Sequence, residues 1–346
     1  MMYFLRLYIK YFIVILVTSI VLGAGYSTND EVTKVATAAA NWLKLETGTR
    51  PIGMGGAFTS VGAGIVGIPY NPASVAFIKN QESFFSKTSY VAGINYHVLG
   101  YGRNMSGIDF IALHAFFLDS GSMKVRTAEY DEGTGETFNF RGMCIRAAFG
   151  KRITNRLRIG FTGKFIREEI YTTFMQSFAF DIGSHFNTGL LGMILGMSVS
   201  NLGPEVEFEG DGLEFLCEDE DEAPEGFCKK IVSSFMLPMT FRIGLSNEVM
   251  GPESKIIKSK DHRLLISMDA INPIDYTLYS TAGMEYNYND MFFVRLGSHF
   301  GHDTADWSLG AGMNMKIKDY NFGLDYAYVD YGILRYTHQF GLNFEF

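Results

Sequence analysis

The residues that could carry chemistry do not form a recognisable catalytic or metal-binding motif in this chain. Its seven histidines are scattered through 346 residues, and neither an HExxH zinc helix nor a GxSxG nucleophile turn is present. His185 and His299 fall on inward faces of predicted strands, where a hydrogen-bonded structural histidine is expected rather than a catalyst. The sequence therefore predicts a protein that is not an enzyme and that uses no cofactor and no metal ion.

Two of the three cysteines bracket an acidic segment. Cys217 and Cys228 have a spacing that an oxidising compartment could close into a disulfide, with two free thiols as the alternative, and Cys144 would then be unpaired. A zinc site is disfavoured because no CxxC pair and no histidine lies between or beside them. The segment from Glu205 to Glu225 contains eleven acidic residues. It lacks the spacing of a calcium loop, so we predict a solvated surface loop rather than a metal site.

The composition indicates alternation of apolar and polar residues. Hydrophobic residues make up 47% of the chain and aromatic residues 15%, yet the mean hydropathy is close to zero. This combination disfavours a helical membrane protein, which needs long uninterrupted apolar spans. A net charge of -8 without a cluster of Lys and Arg disfavours nucleic-acid binding.

Beyond residue 80 the hydrophobic period is two, which is typical of β-strands with unlike faces. In the segment 307–318, Trp307 and Leu309 share the apolar face, whereas Gly310 and Gly312 lie on the other. Runs of about ten residues with glycine-rich polar faces favour a membrane barrel over a soluble sandwich. About fourteen such segments can be counted, an even number as expected for a bacterial barrel.

The predicted fold is therefore all-β, a transmembrane antiparallel β-barrel of about 14 strands in contact with outer-membrane lipid. Phe346 falls on the lipid-facing stripe of the last strand, where barrel-assembly machinery usually finds its signal. Most connections alternate between short turns and long loops, with the short turns on the predicted periplasmic side. The segment 250–261 is long although it falls on the short side.

Four charged residues fall on the inward faces of predicted strands. We expect them to pair or to line a polar interior, because Lys or Arg on the lipid face near mid-membrane would cost about 2–4 kcal/mol. These residues are Lys164, Asp181, Arg295 and Asp325.

The first 25 residues have the layout of a secretory signal peptide. Arg6 and Lys10 precede an apolar run, and small residues end at Gly25. A retained anchor is the alternative, but about a dozen apolar residues fall short of the ~20 that span a bilayer. The predicted organisation is a signal peptide at 1–25, an N-terminal plug or lead-in segment at 26–80 and a barrel at 81–346, in a protein exported to the bacterial outer membrane.

The segment before the strands is rich in glycine. Gly53 to Gly56 could suggest a nucleotide loop, but no buried strand precedes it, no helix follows and no Lys-Ser/Thr pair is present. Glycines would instead let the segment fold tightly inside a barrel mouth or close its wall.

Several motifs resemble the PorV/PorQ family of outer-membrane proteins, which is placed within the FadL-like barrels. The segment 48–58, GTRPIGMGGAF, and the Asn-Pro-Ala at 71–73 are similar to the family pair G-x-R-x-x-G-M-G-G-A-F and N-P-A. Val61-Gly62-Ala63-Gly64 stands where the family usually has Val-Ala-Asp-Asp, which leaves the role of those acidic residues open. The motif residues are Arg50, Gly53, Met54, Gly55, Gly56, Asn71 and Pro72.

The resemblance implies two functions. Like PorV, the protein would work with type IX secretion components and receive the C-terminal domains of exported cargo. The alternative is a FadL-like passive channel, in which a plug closes the barrel and a lateral opening releases a hydrophobic molecule into the membrane. One fold serves both. A wall gap beside an apolar lumen would favour transport, whereas a lumen filled by side chains and crossed by ion pairs would count against it, and a purely structural barrel would have neither.

Overall fold

The computed structural model describes residue 35 and residues 37–216 and 227–346. Fourteen long strands form one closed antiparallel barrel. In chain order they are β1 Gln81–Ser89, β2 Asn95–Asn104, β3 Asp109–Asp119, β4 Phe140–Arg152, β5 Leu157–Ile170, β6 Thr173–Asn187, β7 Ile194–Leu202, β8 Thr240–Gly251, β9 His262–Pro273, β10 Tyr279–Tyr288, β11 Phe292–Phe300, β12 Trp307–Ile317, β13 Tyr320–Asp330 and β14 Tyr336–Glu345.

Each strand pairs with the next along the chain, and the last pairs with the first. The closing pair runs from Glu82 opposite Glu345 to Ser89 opposite His338. Backbone hydrogen bonds between Gln81 and Phe346 extend it by one residue. Closure leaves no sheet edge, which is the condition for strands to cross a bilayer with their backbone groups satisfied.

The two faces of the wall have opposite chemistry. Large apolar side chains such as Phe178 and Phe340 are exposed on the outside, whereas Thr162 and Gln339 are buried on the inside. This arrangement follows from the period of two in the sequence, because alternate residues of a strand point to opposite faces. The predicted all-β transmembrane barrel of fourteen strands with an N-terminal plug-like segment is confirmed.

The connections divide the barrel into two ends. One end is here called the long-loop end. It has the long connections 120–139 and 203–239, each of which contains a short hairpin, and several shorter connections. The hairpins are Met123–Lys124 with Thr137–Phe138, and Glu214–Leu216 with Phe227–Lys229. The opposite end, the short-turn end, carries turns such as 153–156 and 318–319.

The connection 252–261 lies at the short-turn end despite its length. Its strand Ile257–Lys258 folds back and pairs in parallel with Met250 and Gly251 at the end of β8. The extra residues therefore form a short additional strand beside the barrel wall.

Residues 37–80, here called the N-terminal segment, run through the inside of the barrel. The segment begins at the long-loop end, where Ala38 forms a bridge with Met236. It ends at the short-turn end, where the carbonyl of Asn80 accepts a hydrogen bond from Asn104. Its helical turns are Asn41–Lys44, α1 Thr49–Gly53, Gly64–Gly67 and Pro72–Phe77.

Some predicted features lie outside the described residues. They include the signal peptide at 1–25 and Cys217, which lies in the acidic connection. In the ranges 37–216 and 227–346, no helix is long and apolar enough to cross a membrane.

Candidate functional site

The N-terminal segment lies directly against the inward face of the wall. A Cβ placed on Gly297 of β11 would lie 2.0 Å from the backbone nitrogen of Gly55, and one on Gly196 of β7 would lie 2.2 Å from the carbonyl oxygen of Thr59. Only glycine leaves room for such backbone approach. The glycines on the polar faces of the strands therefore hold the segment close to the wall.

Motif glycines shape the segment itself. Gly55 and Gly56 have φ values of 62° and 69°, in the left-handed region that favours glycine. Gly53, at the end of α1, packs against the wall, because a Cβ there would lie 3.0 Å from the Cα of Gly310. Met54 between them is fully buried.

Polar anchors fix the turns of the segment. The Asp269 carboxylate of β9 accepts hydrogen bonds from the backbone of Phe58, at 2.9 Å, and of Thr59, at 2.8 Å. The Asn71 side chain donates to the carbonyls of Thr59 and Ser184 at 2.8 and 3.0 Å. These bonds satisfy backbone groups that would otherwise be buried without partners.

The side chain of Asn71 also starts the helical turn Pro72–Phe77. Its Oδ1 accepts from the backbone nitrogen of Ala73, and Pro72 occupies the first turn. Asparagine as the cap and proline at the first position are both favoured there, because proline lacks the N–H that would be unsatisfied. The Asn-Pro-Ala motif is thus a capped turn that joins the segment to the wall.

A buried ionic network, here called the arginine cluster, joins α1 to strands β10, β11 and β13. Arg50 donates to Glu285 in bidentate geometry at 2.8 and 2.7 Å. Arg295 donates to Glu285 at 2.6 Å and also to Asp325, which accepts from Asn343. Two guanidinium groups and two carboxylates balance, as buried charges require.

The other predicted pair lies across the barrel, on β5 and β6. Lys164 is 2.7 Å from Asp181, and both are buried. Lys164 also donates to Asn201, whose backbone N–H donates to Asp181. The pairing of β6 with β7 shifts register between Phe180 and Ile182. The ion pair therefore lies at an irregularity of the wall.

Beyond this irregularity the wall opens into a cleft of about 380 Å³. β7 ends at Leu202 while β6 continues to Thr173. The chain that follows β7 forms a backbone bridge with β6 between Glu209 and Phe174. Between Leu202 and Glu209, Val206 forms a bridge with Phe235 instead. The lining residues come from β6 and from the stretch after β7: Phe174, Met175, Gln176, Ser177, Phe178, Pro204, Glu205, Val206, Glu207 and Glu209.

The cleft, here called the wall cleft, is lined by residues exposed on the outside and by buried residues. Phe178 is 66% exposed on the outside, whereas Met175 and Val206 are buried. Met175 and Val206 belong to an apolar cluster that also contains Phe116 and Ile166. The wall cleft therefore lies between the outer face of the barrel and the apolar cluster, and Glu205, Glu207 and Glu209 also line it.

Trp42 of the N-terminal segment occupies this apolar interior. Its ring stacks on Phe116 with the centroids 5.4 Å apart, and its Nε1 donates to Glu168 at 2.8 Å. Cys144, which is free and buried, belongs to the same cluster. The interior at the long-loop end is thus apolar and filled by the segment.

The remaining predicted residues have structural surroundings. The ring of His185 packs edge-on against Phe77, and His299 Nε2 lies 2.9 Å from the Glu46 carboxylate. Phe346, half-exposed, follows β14. Cys228 is disulfide-bonded, and since Cys217 lies outside the described residues, their pairing stays a prediction.

No metal site can be built from the described part of the chain, in which no three His, Cys, Asp or Glu residues are grouped suitably. Sequence reasoning missed Glu285, Asp269 and Trp42. The first two had a usable signal, because each is an acid on the inward face of a strand. Trp42 had none, since it precedes the periodic part of the chain.

The described residues thus form a closed barrel of fourteen strands with an N-terminal segment inside it. No family model and no curated protein matches the chain. Solved structures with the same fold include the CymD monoaromatic hydrocarbon channel, at a TM-score of 0.54 and 11% identity, with 86% of this chain and 96% of that chain covered. The Ralstonia pickettii toluene transporter TbuX gives 0.54 and 11%, with 87% and 98% covered.

A Pseudomonas aeruginosa FadL homologue gives a TM-score of 0.50 and 10% identity, with 86% of this chain and 96% of that chain covered. At these identities the likeness establishes the fold alone. It supports the FadL-like part of the resemblance found in the sequence, whereas the PorV/PorQ part has no support from the comparisons.

Proposed function

We propose that the protein is a passive channel of the bacterial outer membrane for hydrophobic small molecules. The observation that carries this proposal is the wall cleft, because it lies between the apolar cluster and the outer face of the barrel. A hydrophobic molecule gains from leaving water for such an interior and from leaving it again into lipid.

The fold relatives support a channel rather than a secretion role. Two of them are described as a monoaromatic hydrocarbon channel and a toluene transporter. The type IX secretion role has no corresponding support, and its components and cargo domains stay untested as partners. Outer-membrane lipid is the partner that the apolar outer face requires.

The route that we infer begins at the long-loop end. A hydrophobic molecule would replace the contacts of Trp42 with Phe116 and the cluster around it, and would leave past Met175 through the wall cleft. Further travel towards the short-turn end is blocked, since the N-terminal segment is hydrogen-bonded to the wall through Asn71 and Asp269.

The arginine cluster does not obstruct this route. The arginine cluster joins α1 to β10, β11 and β13, whereas the apolar cluster includes Tyr96, Phe116 and Ile166 from β2, β3 and β5. The arginine cluster thus lies on strands other than those of the apolar cluster, whereas the Lys164–Asp181 pair lies on β5 and β6, beside the wall cleft.

The test is uptake of toluene by liposomes that contain the purified protein. Ser177 is buried in the wall cleft, so Ser177→Trp should fill it and slow uptake about tenfold, which corresponds to ~1.4 kcal/mol of added barrier. Ile182→Trp is the matched control, because residue 182 lies farther along β6, is exposed on the outer face and is not part of the cleft lining.

Equal uptake by both variants would contradict the lateral route. Uptake by the wild-type protein no faster than by empty liposomes would contradict the channel itself. Both outcomes are read against correctly folded protein, which migrates differently on a gel before and after boiling.

A further inference from the structure

A small cavity lies where the N-terminal segment meets strands β4, β5, β7 and β8. Its volume is about 10 Å³, which is room for one particle of the size of a water molecule. The lining includes Lys44, Arg146, Lys164 and Arg242, but no carboxylate. Four cationic side chains around one small buried space need a source of negative charge.

Two of the four cations have an acidic partner. Lys44 is 2.5 Å from Asp275, and Lys164 is 2.7 Å from Asp181. These pairs leave the positive charge of the two arginines still to be balanced.

The two arginines contact the rings of a histidine and a tyrosine. Arg146 Nη1 lies 3.1 Å from His114 Nδ1, and the Arg242 guanidinium lies 5.5 Å from the ring centre of Tyr70. Neither arginine forms an ion pair with any residue of the described ranges, although they are only 3% and 7% exposed. A buried unpaired guanidinium is strongly unfavourable, because burial removes the water that solvates its charge.

Asp269, an acid on the same wall face, interacts with Arg242 through its charge at a distance. Arg242 is opposite Ile271 and Asp269 is opposite Gly244 in the β8–β9 pair, so the two charged residues are diagonal neighbours. The Asp269 carboxylate accepts the backbone N–H groups of Phe58 and Thr59. It does not approach Arg242 within the 4.0 Å of an ion pair.

Three donors of the cavity lining have no hydrogen-bond acceptor among the described residues. They are Arg146 Nε, Arg242 Nη1 and the hydroxyl of Ser200. Two guanidinium N–H groups and a hydroxyl, on residues that line one small cavity, match the coordination of a single inorganic anion. We propose that this cavity binds one monovalent anion of halide size.

The anion would join the N-terminal segment to the wall. Lys44 belongs to the segment, whereas Arg146 and Arg242 belong to β4 and β8. Mutual repulsion of these cations opposes closure, and an anion between them removes it. Anion binding should therefore stabilise the closed arrangement, whether or not the barrel transports hydrophobic molecules.

The direct test is crystallography of the purified protein in sodium bromide, with data collected at the bromine absorption edge. We expect an anomalous peak inside the cavity within hydrogen-bond distance of Arg146 Nε and Arg242 Nη1. A cavity that holds only water would give no peak there and would overturn the proposal.

The second test is thermal unfolding in chloride against gluconate at equal ionic strength and pH. Gluconate is too large for the cavity, so chloride should raise the melting temperature of the wild-type protein by about 2–4 °C in a saturable manner. Arg242→Gln should lose this increase. Arg146→Gln is the second variant, and it should lose the increase in the same way.

Arg158→Gln is the matched control. Arg158 lies at the short-turn end, stacks on Phe77 at 3.8 Å and lies outside the cavity lining. It should keep the chloride effect. Loss of the effect in this control as well, or no effect in the wild-type protein, would show that chloride acts elsewhere and would refute the site.

Discussion

Glu285 is the residue on which the closed arrangement of α1 depends most directly. It is the shared acceptor of Arg50 from the N-terminal segment and of Arg295 from β11. Because the three side chains are charged and largely buried, none can be removed without leaving an unbalanced charge. The position of α1 is therefore tied to one carboxylate.

Glu285→Gln should weaken the attachment of the segment by about 3–5 kcal/mol, the cost of breaking a buried ion pair from one side. The measurement is hydrogen exchange of the backbone in α1, which should become faster. Glu169→Gln is the control, because Glu169 pairs with Arg167 near the surface, where a pair contributes at most about 1 kcal/mol. Similar exchange in the two variants would argue against this role.

Alternation along the strands predicted that Lys164, Asp181, Arg295 and Asp325 face inward, because a period of two determines the face of each residue. It could not predict their partners, since pairing depends on the register between strands distant in sequence. Arg50 could not be placed at all, because the segment around it has no periodicity.

At the scale of elements, the strands were predictable and the wall cleft was not. β6 begins at Thr173, whereas the last residue of β7, Leu202, lies opposite Phe180. The cleft exists because the chain after Leu202 turns away from these first residues of β6, so that Val206 pairs with Phe235. Where a strand leaves its neighbour depends on the loop that follows, and alternation carries no such information.

Gly297→Val should displace the N-terminal segment from the wall. A Cβ there would lie 2.0 Å from the backbone of Gly55, and overpacking of this kind costs about 1–3 kcal/mol. We expect faster protease cleavage within the segment and a higher ion conductance in planar bilayers. Gly163→Val is the control, because the nearest atom to a Cβ at 163 is 4.0 Å away. If the two variants conduct alike, the close approach is not what closes the barrel.

The loop 301–306 at the long-loop end should respond to acid. His302 Nδ1 accepts backbone N–H groups of Ala305 and Thr304 at 3.1 and 3.3 Å. Burial, with a smaller contribution from His299, lowers the pKa of His302 below its usual 6.5. The folded loop therefore favours the neutral ring, so its stability is complete above about pH 6.5 and decreases as the pH falls below that value.

Hydrogen exchange of residues 301–306 at pH 7.5 and pH 5.0, corrected for the intrinsic rates, would measure this effect. Loss of protection at the lower pH should be specific to the wild-type protein, because His302→Asn retains an acceptor but does not titrate. An equal change in both proteins would exclude His302 as the cause.

At the scale of the whole molecule, the ring of strands and its apolar outer face make one prediction. Closed barrels resist detergent, because all backbone groups of the wall are bonded within it. The protein should therefore migrate faster on a gel without heating than after boiling. A band whose migration does not change on boiling would contradict a membrane barrel.

The closing pair of β1 with β14 has a consequence for how the molecule is made. These strands are the farthest apart in sequence, so their pairing forms last and slowest. β1 follows the N-terminal segment without a linker, since the segment ends at residue 80 and the strand begins at Gln81. β1, which closes the ring of strands by pairing with β14, is thus directly continuous with the N-terminal segment that fills the barrel. We expect the order of assembly to follow: the wall forms around its contents, and filling and closure occur in one folding step.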